Sequence, residues 1–114
     1  MDLSDFEQRV LDALVKSDPE RETLQAQLAE ATVLNRDYSG VGLFTKLAVP
    51  ESAPRLQDPG RYIEKIPKLH LEHPDLTAGA GAMLWLTNGR ADTLECYTYD
   101  GDWPSEEGLF EIAE

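Results

Sequence analysis

The chain has 114 residues, 41% of them apolar and 28% charged, which suits one globular domain spanning 1–114 and is too apolar for a disordered chain. Its 22 acidic residues against 10 Lys and Arg give a net charge of −12, so the clustered cations needed for direct nucleic-acid binding or attraction to an anionic membrane are missing. No run approaches the roughly 18–20 apolar residues of a membrane-crossing helix, the acidic start MDLSDFEQ is unlike a signal peptide, and the lone Cys96 can form neither an intramolecular disulfide nor a multi-cysteine zinc site.

A cytoplasmic protein is therefore expected. The acids are unevenly spread: residues 1–30 carry eight against Arg9, Lys16 and Arg21, and residues 91–114 carry eight more with no basic residue. Such a field confers solubility and steers basic partners.

In SDFEQRVLDALVKS, Ser4 and Glu7 have the capping-box spacing, and Phe6, Val10 and Leu14, widened by Leu3, Leu11 and Val15, make the stripe of an amphipathic helix. Asp18 followed by Pro19 predicts the cap and first position of a second helix with Leu24, Leu28 and Ala31 on its apolar face. The short link predicts a helix hairpin. Then β-branched and aromatic residues gather around Gly40 and Gly42, predicting one or two strands, the main one near Val41 to Val49, with the glycines at a bulge, bend or close approach.

PESAPRLQDPG reads as a loop. In RYIEKIPKLHLEHPDL, Tyr62, Glu64, Ile66 and Lys68 alternate with Ile63, Lys65, Pro67 and Leu69, predicting a strand with Pro67 at an edge or bulge. Met83–Thr87 and Thr93–Tyr99 flank Asn88-Gly89, the residue pair that a two-residue hairpin turn favours. Beyond Asp100 come turn residues and then Leu109, Phe110 and Ile112, which predict a short strand or a helical turn. The resulting fold class is α+β, an N-terminal helix hairpin on one face of an antiparallel sheet of about four strands.

Candidate chemistry is sparse. GAGA at 79–82 runs into a strand, so the helix N-terminus of a phosphate loop is missing and no Walker lysine follows. Gly79 and Gly81 are expected to shape the start of that strand beside the helices. His70 and His73 have opposite strand parity, which places them on opposite faces and argues against a metal site; exposed or strand-end histidines are expected. Cys96 lies among acidic and aromatic neighbours that would not lower its pKa, so an inert thiol is expected. Nothing implies a cofactor, a metal or catalytic residues, although Glu95, inside an apolar strand, is the most notable carboxylate.

The best candidate surface is aromatic. Tyr97 and Tyr99 share a face with Glu95, Trp85 stands on the paired strand, and the group merges into Asp100, Asp102 and Trp103. Tyrosine and tryptophan are enriched at interface hot spots. This set, Trp85, Glu95, Tyr97, Tyr99, Asp100, Asp102 and Trp103, is the expected partner-binding site.

RDYSGVGLFTKLAV (36–49) and LECYTYDGDWP (94–104) resemble motif blocks of a family of small bacterial proteins of unassigned function. The resemblance implies a bacterial single-domain protein and carries over no catalytic residue. The leading expectation is a non-enzymatic acidic domain binding a basic protein partner, as the inhibitor or immunity partner of a basic toxin or nuclease does. The alternative is a small-molecule-binding protein or small enzyme with a pocket between helices and sheet, using Glu95 or His70. A third reading is a homodimer through an exposed strand edge.

Overall fold

The computed structural model describes residues 1–58 and 66–113. Two helices, α1 (Asp5–Val15) and α2 (Arg21–Glu30), precede the strands β1 (Thr32–Tyr38), β2 (Gly42–Ala48), β3 (Lys68–Glu72), β4 (Ala80–Thr87) and β5 (Arg90–Thr98). A 3₁₀ turn at Glu107–Leu109 and β6 (Glu111–Ala113) complete the fold. All pairings are antiparallel, in the order β1-β2-β5-β4-β3-β6. The α+β architecture is the one expected, with six strands among the described residues in place of about four. The region after Ala31 yields two strands, and the tail forms both the helical turn and the strand that its residues left open.

Each helix forms for local reasons. The Ser4 hydroxyl accepts from the Glu7 amide at 3.1 Å while Glu7 Oε1 accepts from the Ser4 amide at 2.8 Å, closing the capping box. Phe6, Val10, Leu11, Leu14 and Val15 are all buried, as the stripe requires. The second helix starts later than Asp18 and Pro19 suggest. Asp18 Oδ1 accepts from the Glu20 amide at 2.8 Å, an Asx-type turn that delays the helix to Arg21. Its inward face carries Leu24 and also Gln27, both fully buried.

Strand alternation decides what faces the helices. In β4, Ala80, Ala82 and Leu84 are fully buried, with α1 lying over β3 and β4 and α2 over β5. Two small alanines let α1 approach the sheet closely. In β5 the buried residues are Ala91, Leu94 and Cys96; a register shift at Trp85/Leu86 reconciles the odd position with the even ones. Leu47, Leu71, Val33 and Phe110 complete the core.

The β4–β5 turn has Asn88 at φ 53° and Gly89 at φ 78°, the paired left-handed conformations that suit Asn-Gly. Pro67 immediately precedes β3, where its carbonyl accepts from the Leu84 amide at 3.1 Å, so its missing N–H interrupts no ladder. The alternation expected over Tyr62, Ile63, Glu64 and Lys65 lies outside the described residues. Among the described residues no helix is long and apolar enough to cross a membrane.

Candidate functional site

The helices cover one side of the sheet. On the opposite side the cross-strand registers place side chains in rows. One row runs Asp37, Phe44, Glu95, Met83, Lys68, and the next runs Gly42, Tyr97, Gly81, His70. Thr93 links Lys46 to Trp85 in a third row. Phe44 is 41% exposed and Tyr99 53% exposed, high values for large apolar rings.

Tyr97 lies between two glycines, Gly42 on β2 and Gly81 on β4. A Cβ at Gly81 would come within 2.6 Å of the Tyr97 ring carbon Cζ and its Oη, so the absent side chain is the room in which the ring lies. Gly81 therefore serves the helix-free face, whereas the sequence pattern placed it beside the helices; its neighbours Ala80 and Ala82 take that role. The Tyr97 and Tyr99 rings meet edge to face at 5.7 Å, and Tyr99 stacks on His70 at 5.7 Å with planes 8° apart. Burial first, then Tyr99 and Glu95, push the Tyr97 phenol above its ordinary value, so it stays protonated at neutral pH. The Trp85 indole donates to Glu95 Oε1 at 2.8 Å, fixing both side chains on the surface.

Trp85, Glu95, Tyr97 and Tyr99 thus share one face, as parity suggests. Asp100 and Asp102 follow in the exposed turn after β5, where Asp100 Oδ1 accepts from the Ala78 amide at 3.3 Å. Trp103 is not part of this face. Its ring packs on Phe110 at 4.9 Å and Phe6 at 6.1 Å, on the helix side, and its indole donates to Glu107 Oε2 at 2.9 Å. The chain turns past the sheet end at Gly101 (φ 80°), and the Trp103 amide is tied to the Gly40 carbonyl at 2.8 Å, which carries the ring round to the core.

Two members of the face lay outside the expected set, Phe44 and His70. Phe44 was legible in principle: it shares parity with Lys46, while Leu43, Thr45 and Leu47 share the buried parity.

The remaining candidates separate. His70 is on the open face, while His73 stands at the strand end, directly after β3, and is buried there. The Asp75 amide donates to His73 Nδ1 at 3.0 Å, so Nε2 carries the proton and donates to the Glu106 carbonyl at 2.9 Å. Both nitrogens are satisfied, and the ring meets Phe110 edge to face at 4.7 Å. Cys96 is fully buried opposite Leu43 and Ala82, and burial pushes its thiol well up, which makes it inert. Among the described residues no group of three or more His, Cys, Asp or Glu is placed to hold a metal ion.

Glu95 and His70 both stand on the helix-free face, so a pocket between helices and sheet would not reach them. The edge of β1 is partly occupied by the chain itself: the Val33 amide donates to the Met1 carbonyl at 2.7 Å, the Met1 amino group donates to the Val33 carbonyl at 3.1 Å, and Arg36 Nη2 donates to the Asp2 carbonyl at 2.8 Å. The other edge, β6, is three residues long. Short or occupied edges reduce strand-to-strand self-pairing.

No protein-family model, curated protein or solved structure matches the chain.

Proposed function

We propose that the protein is a non-enzymatic protein-binding domain, of the inhibitor or immunity-partner kind, that captures a basic protein with the helix-free face of its sheet. The observation that carries this reading is the aromatic group Phe44, Tyr97 and Tyr99, with His70 stacked on Tyr99, on a face that no described element of the fold covers. Held by the Gly81 approach to Tyr97 and by edge-to-face and stacked ring contacts, Tyr97, Tyr99 and His70 have little rotamer entropy left to lose on association. The charge is graded: Lys46 and Lys68 stand at the margins of the face, while Asp100 and Asp102 follow directly after Tyr99. A basic partner would be steered to the Tyr99 end and anchored on the rings.

The test is affinity capture from an extract of the source organism, comparing the native chain with Phe44→Ala, Tyr99→Ala and the double variant that carries both. Both rings are exposed, so the variants should fold normally. Each substitution is expected to weaken capture by about tenfold or more, the scale of an aromatic hot spot, and raising salt should release the partner. A partner held equally well by the double variant would sink this reading.

A further inference from the structure

On the helix side of the β1–β2 turn lies a cleft of about 400 Å³ lined by Tyr38, Gly40, Trp103, Pro104, Ser105 and Glu107. Its chemistry is specific. Glu107 Oε2 accepts from both the Tyr38 hydroxyl (3.1 Å) and the Trp103 indole (2.9 Å), so one carboxylate oxygen fixes the two aromatic side chains. Oε1 of the same carboxylate has no hydrogen-bond donor among the described residues. The Trp103 ring is backed by Phe110 and Phe6 and its amide is pinned to Gly40, so this wall is rigid. Tyr38 is 54% exposed.

Two aromatic rings joined by a carboxylate with a free oxygen form a receptor for an organic cation. The surrounding charge agrees. Asp102 and Glu106 are exposed beside the cleft, and among the described residues the neighbouring cations are already engaged: Arg36 in two bonds to Glu7, and Arg9 with the Phe110 and Gly108 carbonyls. An apolar ligand would leave Oε1 unpaired, and an anion would meet Glu107 directly. A planar guanidinium offers both a donor for Oε1 and a flat surface for the rings, which an ammonium does less well.

We propose that this cleft receives an arginine side chain of the partner protein. This rests on the reading of the protein as a binder of a basic partner, and names the anchor that such a partner presents. The cleft and the aromatic face meet around one end of the sheet, since Gly40 contacts the Trp103 loop and the adjacent Val41 carbonyl accepts from the Thr98 amide at the end of β5. One partner could therefore place an arginine in the cleft and an apolar surface on Tyr99.

The experiment uses the full chain and a short blocked peptide, acetyl-Gly-Arg-Gly-amide, with the citrulline peptide as its neutral isostere. The indole N–H resonance of Trp103 is followed by NMR, assigned by its loss in Trp103→Phe. The arginine peptide should shift it saturably, with a dissociation constant on the order of 1 mM for one charged, stacked group, and the citrulline peptide should not. Glu107→Gln should weaken binding at least about tenfold by removing the charge. Tyr38→Ala, at an exposed position, should weaken it too and guards against a folding defect in the first variant. No saturable shift, equal shifts from both peptides, or unchanged binding in both variants would overturn the cleft assignment. That failure is separate from failure of the proposed function, because capture that depends on Phe44 and Tyr99 would survive it.

Discussion

Glu7→Gln is expected to destabilise the fold by about 2–3 kcal/mol, because a neutral amide replaces a buried carboxylate that accepts charge-assisted hydrogen bonds from Arg36, itself 24% exposed. Glu7 is fully buried, yet every role of its carboxylate is filled. Oε1 accepts from the Ser4 amide at 2.8 Å and Arg36 Nη2 at 2.7 Å; Oε2 accepts from Arg36 Nε at 2.8 Å and the Thr45 hydroxyl at 2.6 Å. One residue thus caps α1, joins it to the edge strand β1 and satisfies the buried Thr45 of β2. Burial alone would raise the Glu7 carboxyl, but the hydrogen bonds from Arg36, Ser4 and Thr45 and the Arg36 charge more than offset it and hold it at about 2, against an ordinary 4.5.

A carboxyl whose folded value is depressed contributes stability that is complete above its unfolded value and is lost as pH falls through its folded one. Between pH 4.5 and 2 the native chain should therefore lose about 3 kcal/mol from this residue, and Glu7→Gln should flatten that part of the acid limb. Urea unfolding at pH 7, 4 and 2.5 measures both effects. An unchanged midpoint for Glu7→Gln at pH 7 would show that the network contributes little.

The second large effect is expected at Gln27, whose fully buried side chain fastens α2 to the β4–β5 turn. Its Nε2 donates to the Pro54 carbonyl at 2.8 Å and the Gly89 carbonyl at 2.9 Å, while Oε1 accepts from the Ala91 amide at 2.8 Å. Gln27→Leu keeps much of the volume but strands the Ala91 N–H and the Pro54 carbonyl; Gly89 retains its bond from the Leu56 amide at 2.9 Å. The Ala91 amide is buried while Pro54 is exposed, so at about 1–3 kcal/mol for one stranded buried group a loss of about 1–3 kcal/mol follows. The denaturation midpoint should fall with little change in slope, and Ala91 amide exchange should accelerate. A stability within about 0.5 kcal/mol of the native chain, the range of ordinary surface changes, would contradict this role.

Features governed by near neighbours were legible in the sequence. Ser4 and Glu7 announce the capping box, Asn88-Gly89 the hairpin, and the parity of Glu95, Tyr97 and Tyr99 their common face. Features that depend on distant partners were not. Glu7 reads only as the capping-box partner of Ser4 until Arg36 and Thr45 are brought beside it, and Gln27 as a polar helix position until the hairpin turn meets it. Trp103 looked continuous with Tyr99, but Gly101 and the tie to Gly40 redirect the chain between them. His73 acquires its burial from Glu106 and Phe110, more than thirty residues away.

The most direct measurement is side-chain oxidative footprinting of the chain, free and bound to the protein it captures. Recognition by the helix-free face predicts that Phe44, Tyr97 and Tyr99 become protected on binding, while Leu3 and Leu28 on the helix side keep their free-state rates. Protection of the helix side with Phe44 and Tyr99 still oxidised at the free rate would contradict it.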